Sequence, residues 1–127
     1  MKNSRKGFTL VEILIVVMVI IILATILIPN IIRVRLIANE AIAQTTLKTI
    51  ATALENYIND NQIYPTDPNN LLTAAPSYLN TDFFSGTHVG YSYTPKIEDY
   101  VYQITAQPVN ANTGLRTFTM TTGGVFQ

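Results

Sequence analysis

From residue 8 to residue 28 the chain is apolar or small at every position but Thr9, Glu12 and Thr25, without alternation and without Gly or Pro. A run hydrophobic on all sides reads as one helix in an apolar medium. At about 1.5 Å per residue it reaches about 32 Å, enough to cross a hydrocarbon core of about 30 Å. Pro29 follows; it withholds the donor due to the Thr25 carbonyl and crowds that turn, so a kink or local break is expected there. The pattern then changes. Residues 31–61 contain no Gly or Pro, and Ala43, Leu47, Ile50, Leu54 and Tyr57 recur at steps of four and three while Lys48, Thr52, Glu55 and Asn59 fall elsewhere, which predicts an amphipathic helix with one buried stripe. Its first part, 33–42, has mixed faces and is expected to serve an assembly interior more than the domain. Asn61 is placed to take a left-handed cap, and Pro65 forbids continuation. Asp67 and Pro68 offer an N-cap and first-turn proline for a short helix through Leu71, Leu72 and Ala74, ended by Pro76.

Beyond residue 88 the period becomes two. Val89, Tyr91 and Tyr93 alternate with smaller or polar residues, as do Tyr100, Tyr102, Ile104 and Ala106; a third strand is expected from about Leu115 to Thr121, and Gly123-Gly124 turns it into a short last strand at Val125 and Phe126. The connections at 95–99 and 110–114 are short enough for antiparallel neighbours. The expected fold is α+β: a long N-terminal helix, kinked at a proline, packed on a small antiparallel sheet of three or four strands.

Composition narrows the chemistry. Without cysteine there is no disulfide, thiol nucleophile or thiolate metal site. His88 stands alone in a Ser/Thr/Gly loop and reads as a solvated loop residue. Glu98 and Asp99 read as a hairpin tip. Tyr91, Tyr93, Tyr100 and Tyr102 could present a stacking surface, but cross-strand and core packing is the preferred reading. No catalytic, cofactor-binding or metal-ligating residue is assigned. Of the eight basic residues, Lys2, Arg5 and Lys6 precede Gly7; the remaining five face eight acidic ones, a net of −3 after Gly7. Phosphate neutralisation needs clustered cations, and only Arg33 and Arg35 lie close together, so direct nucleic-acid binding is not expected.

The basic leader places the N-terminus in the cytoplasm by the positive-inside rule. A cleaved secretory signal would put its small residues after the apolar run; here the small residue, Gly7, comes before it, so cutting at Gly7 keeps the anchor. Glu12 is the only ionisable side chain between residues 8 and 28, and a charge at bilayer depth costs about 2.5–3.5 kcal/mol even on lenient scales. Lys6-Gly7-Phe8-Thr9-Leu10-Val11-Glu12 with the aliphatic run resembles the prepilin processing signature of the type IV pilin-like superfamily. The helix end, Tyr57, Asn61, Tyr64 and Pro65, is similar to that of major pseudopilins and related pilins.

The resemblance implies an aspartyl prepilin peptidase that cuts between Gly7 and Phe8 and methylates the Phe8 amine. Glu12 then guides entry into a helical homo-oligomer at an inner-membrane assembly platform, through pairing with a Phe8 amine in the same or a staggered neighbouring chain. It also implies melting of the helix just ahead of Pro29 in the filament. The organisation expected is a leader, 1–7; a transmembrane and assembly helix, 8–32; and a pilin-like head, 33–127, made of helix 33–61, loop 62–88 and sheet 89–127. The subunit would be a single-pass inner-membrane protein before assembly and part of an extracellular or periplasmic filament after it. Two alternatives stay open. A major pseudopilin of type II secretion shares the assembly physics, although the loop with Asn110 and Asn112 lacks the carboxylates with which that family often binds calcium. A monomeric bitopic envelope protein that binds a ligand through its small β head would leave Glu12 an unexplained cost.

Overall fold

A computed structural model describes residues 7–127, which form two compact units divided after Val34. The expected leader, 1–7, lies outside the described residues except for Gly7. Among the described residues, helix α1, Leu10–Asn61, supplies the first unit's regular structure and the first element of the second. The local break expected at Pro29 is absent, since α1 is assigned without interruption through that residue. One forfeited hydrogen bond inside so long a run does not outweigh cooperative propagation on either side of it.

α1 ends at Asn61, as expected, but the left-handed residue is the next one. Asn61 stays helical, its side-chain amide donating to the Tyr57 carbonyl at 3.0 Å, and Gln62 takes the left-handed conformation, φ 68°. The Gln62 N–H donates to the Ile58 carbonyl at 2.8 Å, which closes the last turn. Helix α2, Asn70–Thr73, is a single turn whose N-cap, Asn69, makes no side-chain cap bond. Asp67 instead accepts from the Asn69 N–H at 2.9 Å, a local turn that precedes the helix.

The second unit, 35–127, carries a four-stranded antiparallel meander in the order β1 (Tyr91–Ile97), β2 (Tyr102–Pro108), β3 (Phe118–Thr121) and β4 (Val125–Phe126). Register stacks Tyr93, Ala106 and Phe118 in one row and Pro95, Ile104, Met120 and Phe126 in the next. The buried face of this sheet, Tyr91, Tyr93, Tyr102, Ile104, Ala106, Phe118 and Met120, shares one core with Ala43, Leu47, Ile50 and Leu54 of α1, as the helical spacing predicts. Tyr64, Leu71 and Leu79 from the connecting loop close it.

Three strand starts differ from the sequence pattern: β2 begins at Tyr102, not Tyr100, because Tyr100 and Val101 lie in the turn that the Glu98 N–H closes on the Val101 carbonyl at 2.8 Å, and the other two have reasons as visible. β1 begins at Tyr91, not Val89, because His88 and Tyr91 exchange backbone hydrogen bonds of 2.8 and 3.0 Å around a two-residue turn in which Val89 and Gly90 have φ of 49° and 78°. Two positive φ values are what a tight hairpin turn requires, and a β-branched residue rarely supplies one. β1 then runs on through Pro95, which an edge strand tolerates. β3 begins at Phe118, not Leu115, because the residues before it are bonded elsewhere: the Leu115 N–H donates to Glu40 Oε1 at 3.2 Å, and the Arg116 carbonyl accepts from the Tyr91 hydroxyl at 2.9 Å.

Glu40 and Asn39 show that the segment 33–42, expected to serve an assembly interior more than the domain, also bonds to the head. Glu40 is buried, its Oε2 taking the Arg116 Nε–H at 3.1 Å, while the Asn39 side-chain amide donates to the Thr113 carbonyl at 2.9 Å. Both tie the loop before β3 to α1.

Candidate functional site: the start of the apolar helix

Thr9, the residue before α1, and Glu12, in its first turn, bond to each other reciprocally. The Glu12 N–H donates to Thr9 Oγ1 at 3.2 Å, and the Thr9 N–H donates to Glu12 Oε2 at 3.4 Å. This is a capping box, with Ser/Thr at the N-cap and Glu three residues on, and it satisfies two of the N–H groups that any helix start leaves without a partner. The Ile13 N–H donates to the Thr9 carbonyl at 3.3 Å and begins the regular ladder. Sequence reading by charge alone misses the box; the Thr-x-x-Glu spacing is its signal. The carboxylate also sits at the positive end of the helix dipole.

Gly7 and Phe8 lie just outside the helix. Both are exposed, Phe8 at 81%, and nothing lies within 4 Å of where a Gly7 side chain would begin. The peptide between them is therefore accessible, ahead of a fixed cap. The large apolar side chains of 8–34 stay exposed along the whole first unit, the least exposed, Val17, still at 48%. An apolar surface of this extent marks a membrane or protein contact. α1 is long and apolar enough to cross a membrane, with a mean hydropathy of 3.3 in its most apolar stretch.

The remaining sequence candidates belong to the second unit. His88 is half-buried, with Nε2 2.7 Å from the Asp82 carbonyl and its ring edge-on to Phe83, so it is fixed in the loop by packing. Glu98 and Asp99 are exposed between β1 and β2. Asn110 Oδ1 accepts from the Asn112 N–H at 2.9 Å within a turn. Of the four tyrosines, Tyr91, Tyr93 and Tyr102 are on strands and in the core, while Tyr100, in the turn before β2, is 68% exposed and offers a free face.

Two buried tyrosines set an alkaline limit for the head. Tyr64 and Tyr102 pack edge-on at 5.1 Å, the Tyr64 hydroxyl donates to Glu55 Oε1 at 3.0 Å, and the Tyr102 hydroxyl accepts from the Gly124 N–H at 3.1 Å. Burial pushes the Tyr102 hydroxyl up to about 12, and burial together with the bond to the Glu55 carboxylate raises Tyr64 as well. Unfolded tyrosine titrates near ~10. Both protons are held more tightly in the folded head, so this stabilisation is complete below about pH 10 and is lost as pH rises towards about 12. The melting temperature is expected to fall over that window, and Tyr102→Phe should flatten the fall; an unchanged profile would show that Tyr102 does not contribute.

Residues 2–28 match the model of the prokaryotic N-terminal methylation motif, which places this segment among sequences that carry that motif. More particularly, type II secretion core protein G and type IV pilins are homologues of this chain. Core protein G of the type II secretion system of Vibrio cholerae is 38% identical over 68 residues, 52% of this chain and 47% of its own length. The type IV wide pilus major component of Thermus thermophilus is 40% identical over 64 residues, 50% of this chain and 48% of its own. The type IV major pilin of Myxococcus xanthus is 38% identical over 59 residues, 46% of this chain and 27% of its own. The chain thus spans about half the length, or less, of these curated relatives. The long helix on a four-stranded antiparallel sheet is the α+β arrangement of the pilin fold.

Proposed function

We propose that this chain is a structural subunit of a type IV pilus-like filament, made as a prepilin and polymerised through α1. The observation that carries the reading is the exposed apolar helix with a single carboxylate fixed in its first turn, beside an accessible Gly7-Phe8 peptide. In this reading a prepilin peptidase cuts between Gly7 and Phe8 and methylates the new amine. The subunit waits in the inner membrane with its N-terminus in the cytoplasm and its head on the far side, and an assembly platform then transfers it to the filament. Glu12 meets the Phe8 amine of a staggered neighbour. The role is architectural, and no reaction is assigned to the chain. The processed subunit is expected to begin at methylated Phe8 by intact mass spectrometry, and a bulky residue at Gly7 should block the cut; a filament subunit retaining residues 1–7 would overturn the processing step.

Pro29 is assigned the second assembly role. Its missing donor already leaves the Thr25 carbonyl without its regular partner, which lowers the cost of opening that turn when helices crowd together. A filament map at side-chain resolution should show non-helical backbone within 24–29, and continuous helix there in the assembled form would remove this assignment.

A type II secretion pseudopilus is the second reading, favoured by the similarity to core protein G. Deleting a retraction motor or a secretion-specific subunit in the source strain distinguishes the two by which loss changes the filament.

A further inference from the structure

Thr9 has no part in the pairing of Glu12 with an amine, yet it is the residue that holds Glu12 in place. Among the described residues the one ion pair is that of Glu40 with Arg116, so the Glu12 carboxylate has no cation there, and its polar contact is with the backbone of Thr9. Only Oε2 is engaged; Oε1 makes no hydrogen bond among the described residues. The bond uses the N–H of Thr9, not the nitrogen of Phe8, so removing everything up to Gly7 leaves it intact. The Thr9 hydroxyl closes the box by accepting the Glu12 N–H.

We propose that Thr9 is the positioning residue for Glu12: through the capping box it fixes the carboxylate at the helix start in both precursor and processed subunit, with one oxygen bound to its own helix and the other free for the amine of a second copy. This rests on the reading that Glu12 serves assembly. The arrangement does two things in an apolar medium. It gives a carboxylate that would otherwise have only lipid around it a hydrogen bond and a favourable dipole. It also removes the rotamer freedom that an incoming chain would have to freeze, so the docking partner meets a preorganised acceptor. The Thr9 hydroxyl is therefore needed for the geometry of Glu12 and not for contact with the neighbour.

The test uses the full chain. Thr9→Val keeps shape and removes the acceptor; Thr9→Ser keeps the acceptor. In detergent micelles, amide exchange at Glu12 is expected to accelerate about fivefold or more in Thr9→Val, in line with the loss of a helix cap, and to return to the wild-type rate in Thr9→Ser. In cells with wild-type machinery, Thr9→Val should lower the filament recovered by shearing about tenfold while processed subunit in the membrane stays level, and Thr9→Ser should restore the yield. Glu12→Gln is the reference variant. Should Glu12→Gln lose filament while Thr9→Val assembles normally, Thr9 is not a positioning residue although the reading of Glu12 stands. Wild-type yield from Glu12→Gln removes that reading, and this proposal with it. Unchanged Glu12 exchange in Thr9→Val, failure of Thr9→Ser to rescue, or loss of cleavage in place of assembly would each overturn the proposal as well.

Discussion

Cells making Glu12→Leu as the sole subunit are expected to accumulate processed protein in the membrane and to yield almost no filament. The substitution removes an intramembrane carboxylate, so insertion improves by up to about 2.5–3.5 kcal/mol; a chain whose only task is to be anchored gains from the change. In a polymer the same change leaves the Phe8 amine of a neighbour buried without its counter-ion, a loss of about 3–5 kcal/mol for a pair broken on one side. At about 1.4 kcal/mol per factor of ten, subunit association weakens by on the order of a hundredfold or more. Leucine also removes the acceptor that Glu12 offers to the Thr9 N–H. Membrane-resident processed subunit and sheared filament should be quantified separately in one strain. Normal filament from Glu12→Leu would eliminate the pairing of Glu12 with the Phe8 amine.

The second large effect is expected in the head. Leu54 is fully buried where the α1 stripe meets the sheet, in one core with Leu47, Ile50, Ile104 and Met120. Leu54→Ala deletes most of a side chain from a site that helix and sheet together keep from collapsing, and such changes cost about 2–5 kcal/mol. For a unit of this size each kcal/mol is worth roughly 4–8 °C, so the melting temperature should fall by roughly 8–40 °C. The tyrosine near-ultraviolet signal of the solubilised chain follows the transition, because Tyr64, Tyr91, Tyr93 and Tyr102 lie in that core. A fall of only a degree or two would place Leu54 outside the close-packed interior. Exposed Thr52, on the same helix, is the matched control.

These two residues illustrate what the amino-acid order makes legible. Leu54 belongs to a stripe of period 3.6, and Glu12 interrupts an otherwise uncharged run, so both are signals contained within a few turns of chain. Glu40 is different: its partners, Leu115 and Arg116, stand 75 and 76 positions away, and nothing local distinguishes it from a solvated helix carboxylate. Asn39, bonded to Thr113 across 74 positions, was hidden for the same reason. Pro95 looks like a strand terminator until the sheet order shows that β1 is an edge, where a missing donor does no harm. Val89 misleads because its β-branched side chain argues for strand while the turn holds its φ at 49°. The continuous helix at Pro29 reflects a competition between one costly residue and long cooperative runs on both sides, which residue-by-residue propensity does not weigh. Around Phe8 and Glu12 the linear pattern located the segment, and the structure added the reciprocal bonds that make Thr9 its support.

The sheet's two borders decide how these heads can meet when they are crowded together. β1 carries Pro95, which interrupts the row of donors another strand would need, and β4 is only two residues long, too short to template a partner. Neither border invites a β-ribbon between molecules, so amyloid-like stacking of heads is disfavoured even at the local concentrations a packed membrane patch creates. In the proposed filament, growth is left to the apolar helix, and the surface of the head is free to diverge in sequence without opening a second, competing mode of aggregation.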